Sequence, residues 1–168
     1  FTYKFTFNDD ISNWDVSNVT TMSHMFKDAF KFNQDIGGWD VSNVTDMNHM
    51  LQGTREFNQD IGGWDVSKVT NMLELLKDCF VFNRDIGDWD VSSVTDMRSL
   101  FKQAYAFNQD ISNWDVSHNP QMGGIFQSAN SLDAANKCAI HASFSQQASN
   151  WSYDWSENQD DCGVCFGG

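Results

Sequence analysis

The sequence predicts an α/β repeat solenoid, with one short parallel strand and one short helix in each 25-residue coil and a helical cap at the C-terminal end. Three observations predict it. Trp14, Trp39, Trp64, Trp89 and Trp114 recur every 25 residues, and so do Phe7, Phe32, Phe57, Phe82 and Phe107. The same step relates the isoleucines from Ile11 to Ile111, the valines from Val16 to Val116 and the methionines from Met22 to Met122. The register then decays at Asn119-Pro120 and Gly123-Gly124. These observations divide the chain into a five-coil repeat region at 1–130, a helical cap at 131–156 and the start of an Asp/Cys/Gly-rich linker at 157–168.

The strand is expected at Trp39-Asp40-Val41 and its counterparts, where apolar, polar and apolar residues alternate at the period of a half-buried strand. Trp and Val would face inward and Asp outward. The helix is expected next, because Met47, Met50, Leu51 and Thr54 fall at i, i+3, i+4 and i+7, as do Met22, Met25, Phe26 and Ala29. Thr20, Thr45, Thr70 and Thr95 stand where a hydroxyl would cap it, with Asp46 and Asp96 at the positive end of its dipole. The third side is Phe32-Asn33-Gln34-Asp35-Ile36, with Phe and Ile inward. Its Asn8, Asn33, Asn58, Asn83 and Asn108 form a file that is more economically structural than functional, since stacked Asn side chains can satisfy loop amides. Beyond the repeats, 131–144 reads as one helix capped by Ser131 or Asp133, with Trp151, Tyr153 and Trp155 folding back over that end.

Composition limits the function. Asp and Glu number 23 against 10 Lys and Arg, and the net charge of −13 argues against nucleic acid or an anionic membrane surface as partner. Cationic partners and divalent ions are favoured instead. No stretch is long and apolar enough for membrane insertion. The first residue is Phe1, so the natural start is expected to lie outside this sequence and no leader can be judged. No nucleophile with a plausible base, phosphate-binding glycine loop or metalloprotease pattern occurs, and an enzyme is not expected.

The candidate ligand-binding face is the outward file Asp15, Asp40, Asp65, Asp90 and Asp115, together with Ser42 and Ser67. Neighbouring carboxylates about 5 Å apart repel by ~0.8 kcal/mol in water. Hydrogen bonding within Asp-Val-Ser turns, a cation or a ligand must offset that repulsion. Calcium is the one cofactor candidate, drawing also on the file that includes Asp35 and Asp60. His24, His49 and Glu74 share one position and read either as a metal pair or, preferably, as a variable exposed helix face. Asn18, Asn43 and Asn150 fit the glycosylation acceptor pattern, relevant for secretion through a eukaryotic pathway. Cys79 shares the small inner position of Ala29 and Ala104 and reads as a buried thiol. Cys162 and Cys165 are disulfide candidates, their partners open, while a zinc site would need two further ligands.

The unit Phe-Asn-Gln-Asp-Ile-x-x-Trp-Asp-Val-Ser-x-Val-Thr-x-Met resembles the BspA-like leucine-rich repeat of bacterial, mycoplasmal, protist and algal surface proteins, over residues 7 to about 131. It departs from ordinary leucine-rich repeats at the ninth position, where Val19, Val44, Val69 and Val94 replace Asn. The resemblance implies a right-handed leucine-rich-repeat-like solenoid, extracellular or at the cell surface. The implied role is adhesion, surface recognition or matrix and filament structure, with an extracellular protein, a glycan or copies of the same chain as partner. A carbohydrate-binding module using the Asp/Ser face with calcium is the alternative. The closing Asp160-Asp161-Cys162-Gly163-Val164-Cys165 is similar to linkers of secreted modular proteins and, distantly, to thrombospondin type 3 calcium repeats, which makes Asp160 and Asp161 calcium candidates.

Overall fold

A computed structural model describes residues 1–152. The chain winds into successive turns that lie one on another, each bonded to the next at an offset of 24 to 26 residues. Met22, His24, Phe26 and Asp28 donate their amides to the carbonyls of Asp46, Asn48, Met50 and Gln52 at 2.7–2.9 Å. The following turns repeat this, as when Met47, His49, Leu51 and Gly53 donate to Asn71, Leu73, Leu75 and Lys77. Single parallel bridges join Thr21, Asp46, Asn71, Asp96 and Gln121 in series.

The expected α/β solenoid, with a strand and a helix in every coil, does not form. Among the described residues the one helix is α1 (Ala134–Gln147), and no strand extends beyond those isolated bridges. The segment Trp39-Asp40-Val41, expected as strand, is spent on turns: Trp39 N–H donates to Ile36 O at 3.1 Å and Val44 N–H to Val41 O at 2.8 Å. Asp40 Oδ1 takes the Ser42 amide at 3.1 Å, so that amide is not free for a ladder.

The segment expected as helix is instead the one that links neighbouring turns. His24 and Asp28 have φ of 60° and 58°, and the equivalent His49, Gly53, Glu74, Asp78, Ser99 and Gln103 are also positive. A right-handed helix cannot hold two such residues four apart. Met25 N–H bonds Met22 O at 3.1 Å and Ala29 N–H bonds Phe26 O at 2.9 Å, so each positive φ sits at the third residue of a tight turn, as type II geometry requires. Consecutive turns each send one apolar residue inward every three or four positions, which imitates the helical stripe. The threonines accordingly cap nothing: Thr45, Thr70 and Thr95 donate both N–H and Oγ1 to the carbonyl of the threonine one turn earlier.

The core is a set of vertical files. Phe32, Phe57, Phe82 and Phe107 stack with centroids 5.9–6.4 Å apart, and Trp64, Trp89 and Trp114 stack at 6.4 Å. Each interior Trp is pinned by its indole, since Trp39, Trp64, Trp89 and Trp114 donate Nε1–H to the carbonyls of Ile11, Ile36, Ile61 and Ile86 at 3.0–3.2 Å. Trp14 departs from the expected inward placement and is 45 % exposed, against 4 % for Trp39, because no turn among the described residues lies over it. Glycine is required where turns come closest: a Cβ on Gly37 would stand 2.3 Å from Asp60 O.

At the other end α1 closes the stack. Asp133 is its N-cap, accepting from Asn136 N–H. Gln147 takes the Val116 amide on Oε1 and donates Nε2 to Trp114 O, while Ser143 Oγ donates to Ser112 O at 2.6 Å. Trp151 meets Phe144 edge-on at 5.1 Å, covering the helix as expected of it. Tyr153 and Trp155 lie outside the described residues, as do Asp160, Asp161, Cys162 and Cys165.

Candidate functional site: an ordered file of carboxylates

Asp15, Asp40, Asp65, Asp90 and Asp115 are all exposed, one per turn on the same side of the stack. Each is fixed by the serine two residues on. Ser17, Ser42, Ser67, Ser92 and Ser117 donate their amides to the Asp Oδ1 at 3.0–3.1 Å, and the hydroxyls of Ser17, Ser67 and Ser92 add a second bond at 2.6 Å. These are the Asx turns that Asp-Val-Ser favours. The Oδ2 atoms accept no bond among the described residues.

These bonds decide the electrostatics of the file. The Ser42 bonds hold the Asp40 carboxyl below the usual carboxylate range, although Asp65 and Asp15 push the other way. Serine bonds likewise lower Asp15, Asp65 and Asp115. Repulsion is therefore the smaller effect at Asp40, and Asp15, Asp40, Asp65 and Asp115 stay ionised at neutral pH.

Asp35 and Asp60 stand on a separate exposed file and are held alike, through the amides of Gly37 and Gly62 at 3.0 Å. Asp60, Gly62, Gly63, Asp85 and Asp88 line one open groove. Among the described residues, no group of three or more His, Cys, Asp or Glu side chains is placed to hold a metal ion.

His24 and His49 are stacked at 4.4 Å, not spread on a helix face. Ser23 Oγ bonds His24 Nδ1 at 2.7 Å, and His49 Nε2 lies 3.6 Å from Glu74 Oε2, which also takes Lys77 Nζ at 2.9 Å. Of the glycosylation candidates, Asn43 spends its Nδ2 on Ser17 O and Asn150 on Pro120 O, whereas Asn18 reaches only Ser17 Oγ at 3.5 Å. Cys79 is fully buried, donates to Leu51 O at 3.1 Å, and has its thiol pushed up to about 12 by burial.

The continuation of the asparagine file into the cap and an outer file of flat side chains escaped the reading of residues. The asparagine file is a continuous chain in which Asn33, Asn58, Asn83 and Asn108 each donate N–H to the Oδ1 of the asparagine one turn earlier, at 2.8–3.0 Å. It also continues past the last asparagine, for Asp133 N–H donates to Asn108 Oδ1. Leu132-Asp133 lies 25 residues after Phe107-Asn108, which is the signal that could have placed the cap in register. The second is an outer file of Phe5, Phe30, Arg55, Phe80 and Tyr105. Phe5 and Phe30 stack at 4.8 Å, Phe80 and Tyr105 at 5.0 Å, and the Arg55 guanidinium lies between, 4.0 Å from the Phe30 centroid.

Stacked turns, repeated side-chain files and a covered end define the class, a repeat module. A family model described as "Mycoplasma protein of unknown function, DUF285" matches residues 1–80 and 56–161, and the chain belongs to that family. Among solved structures it is similar to the one titled "Crystal structure of T. pallidum Leucine Rich Repeat protein (TpLRR)", at 13 % identity and a TM-score of 0.45. That likeness covers 75 % of this chain and 66 % of the other, just under two thirds of its length. No curated protein matches the chain.

Proposed function

We propose that the chain is a non-catalytic module of an extracellular or cell-surface protein, which adheres to or recognises an extracellular partner through its repeated carboxylate file. The observation that carries this reading is the outward row Asp15, Asp40, Asp65, Asp90 and Asp115, each oriented by its own serine with one oxygen left for a partner. A row of pre-oriented charges binds by many weak contacts in series, and ordering it at the folding step lowers the entropy lost on binding. With a net charge of −13, a partner with a basic surface is favoured in both rate and affinity. Proteins of extracellular matrix fit that description, and glycans fit it when a divalent cation bridges them to the carboxylates.

The test immobilises the chain and measures binding to basic matrix proteins and to a glycan array, each with and without a chelator. The expected result is salt-sensitive protein binding that survives chelation and is lost when Asp40, Asp65 and Asp90 are all changed to Asn. Glycan binding abolished by the chelator moves the function to calcium-dependent carbohydrate recognition. Absence of binding under every condition removes the reading.

A further inference from the structure

The two ends of the stack differ. At the C-terminal end, side chains of α1 and of Asn150 just after it meet the open backbone of the last turn. At the N-terminal end the groups that interior turns use to hold their neighbours are, among the described residues, unmatched: Asn8, Trp14 and Thr21 are exposed, Ser23 and Met25 half-buried. Interior counterparts of the Thr21, Ser23 and Met25 carbonyls accept amides from the turn before, as Asp46, Asn48 and Met50 do from Met22, His24 and Phe26. Counterparts of the Asn8 amide donate to an asparagine Oδ1 one turn earlier, as Asn33 does to Asn8. Counterparts of Trp14 Nε1 donate to an isoleucine carbonyl one turn earlier, as Trp39 does to Ile11.

The surface around these groups is apolar: Tyr3 is 59 % exposed, Phe5 50 %, Trp14 45 % and Phe1 40 %. We infer that this N-terminal face is an acceptor for one further turn of the same 25-residue repeat, joined ahead of Phe1 in cis, which would bury Trp14 and complete the open bonds. The four interior junctions of the stack specify what such a turn must carry. It needs an asparagine side chain for the Asn8 amide, an isoleucine carbonyl for Trp14, and two alternate amides for Thr21 and Ser23, the amide for Met25 being that of Phe1 itself once it is joined in a peptide bond. A second copy of the chain cannot present that set in the same direction, because α1 covers the far end from which it would have to come.

The inference is tested by joining a duplicate of residues 26–50 directly ahead of Phe1, which keeps the register. Thermal unfolding, amide exchange of the added segment and acrylamide quenching are compared with the parent, Trp14 being isolated by difference from Trp14→Phe variants of both chains. The expected results are a raised thermal midpoint, protected amides in the added turn, and Trp14 quenching reduced to that of an interior tryptophan. An added segment that exchanges at the rate of unfolded chain, with Trp14 still quenched, overturns the inference. So does a parent chain whose mass in solution is that of a dimer with Trp14 already shielded, since the face would then belong to a second copy.

Discussion

The backbone amide of Asp133 donates to Asn108 Oδ1 at 2.9 Å, while the Asp133 carboxylate accepts from Asn108 Nδ2 and from Asn136 N–H, both at 2.9 Å. One residue thus ends the asparagine file and begins α1. The junction couples the cap to the stack, so that fraying of the helix exposes the last turn. Asp133→Ala is expected to lower the thermal midpoint by about 2–4 °C, the usual consequence of losing an N-cap in a domain of this size. Asp133→Asn keeps an acceptor and should recover most of the loss. The Asn136 and Asn108 bonds hold the Asp133 carboxyl below its ordinary value. Its stabilisation is therefore present above the unfolded pKa and disappears as pH falls through the lower folded one. An acid titration followed by circular dichroism should show a shallower loss in Asp133→Asn than in the parent.

Interior and terminal tryptophans should respond differently to the same substitution. Trp64→Phe leaves the Ile36 carbonyl without its 3.0 Å donor inside the stack, and an orphaned buried acceptor costs roughly 1–3 kcal/mol. At Trp14 no such bond exists among the described residues, and Trp14→Phe should fall within about 0.5 kcal/mol of the parent, as exposed substitutions do. Urea unfolding of the two variants makes the comparison. Equal losses would mean that the indole bonds contribute nothing.

What could be foreseen from the residues was the period and the fate of each file, and what could not was the backbone between them. Phe57, Ile61, Val66 and Met72 are all buried at the positions their repetition marks as inner, because a 25-residue step constrains burial whatever the local conformation. The local conformation was misjudged because Met47, Met50, Leu51 and Thr54 satisfy a helical stripe equally well when successive tight turns carry them. The deciding facts, positive φ at His49 and Gly53, are invisible in a histidine. The Asp-Val-Ser pattern was the more informative one, since it named a turn through its side-chain chemistry. The carboxylate file follows directly from it.

His49, stacked on His24, gives the fold a response to mild acid. Burial lowers the His49 pKa, and His24, Lys27 and Lys77 lower it further against the opposing pull of Glu74. The folded protein therefore holds His49 less readily protonated than the unfolded chain does, and the unfolded chain takes up more protons as pH falls below about 6.5. Stability is expected to decline from pH 7 toward pH 5, and His49→Gln should flatten that part of the profile. Denaturant midpoints across this range in parent and variant would settle it; parallel profiles would exclude His49 as the cause.

Cys79 offers a test of whether the turns open locally. Its thiol is fully buried, bonded to Leu51 O and near Thr54 Oγ1, and raised to about 12. Alkylation of the native protein at this position should proceed only at the rate of unfolding, because thiolate is scarce and reagent is excluded. Mass spectrometry of alkylated peptides over a denaturant series reports it. Rapid modification in native buffer would show that this part of the stack opens far more easily than its packing implies.

Arg55 occupies a place that aromatic residues hold in four neighbouring turns. Its guanidinium lies 4.0 Å from the Phe30 centroid and 5.4 Å from that of Phe80, so the flat cation continues a stack that begins at Phe5 and ends at Tyr105. If planarity and π contact hold it there, Arg55→Ala should cost about 0.5–1 kcal/mol, the range for exposed cation–π pairs. Arg55→Tyr should be neutral or stabilising, since an aromatic pair contributes about the same. Arg55→Lys retains the charge without the plane and should resemble Ala more than Tyr. Were the charge itself responsible, through Asp78 nearby, the order of Lys and Tyr would be reversed. Raised salt would also shrink the difference between parent and Ala variant, as it does for exposed ion pairs such as Lys31 with Glu56.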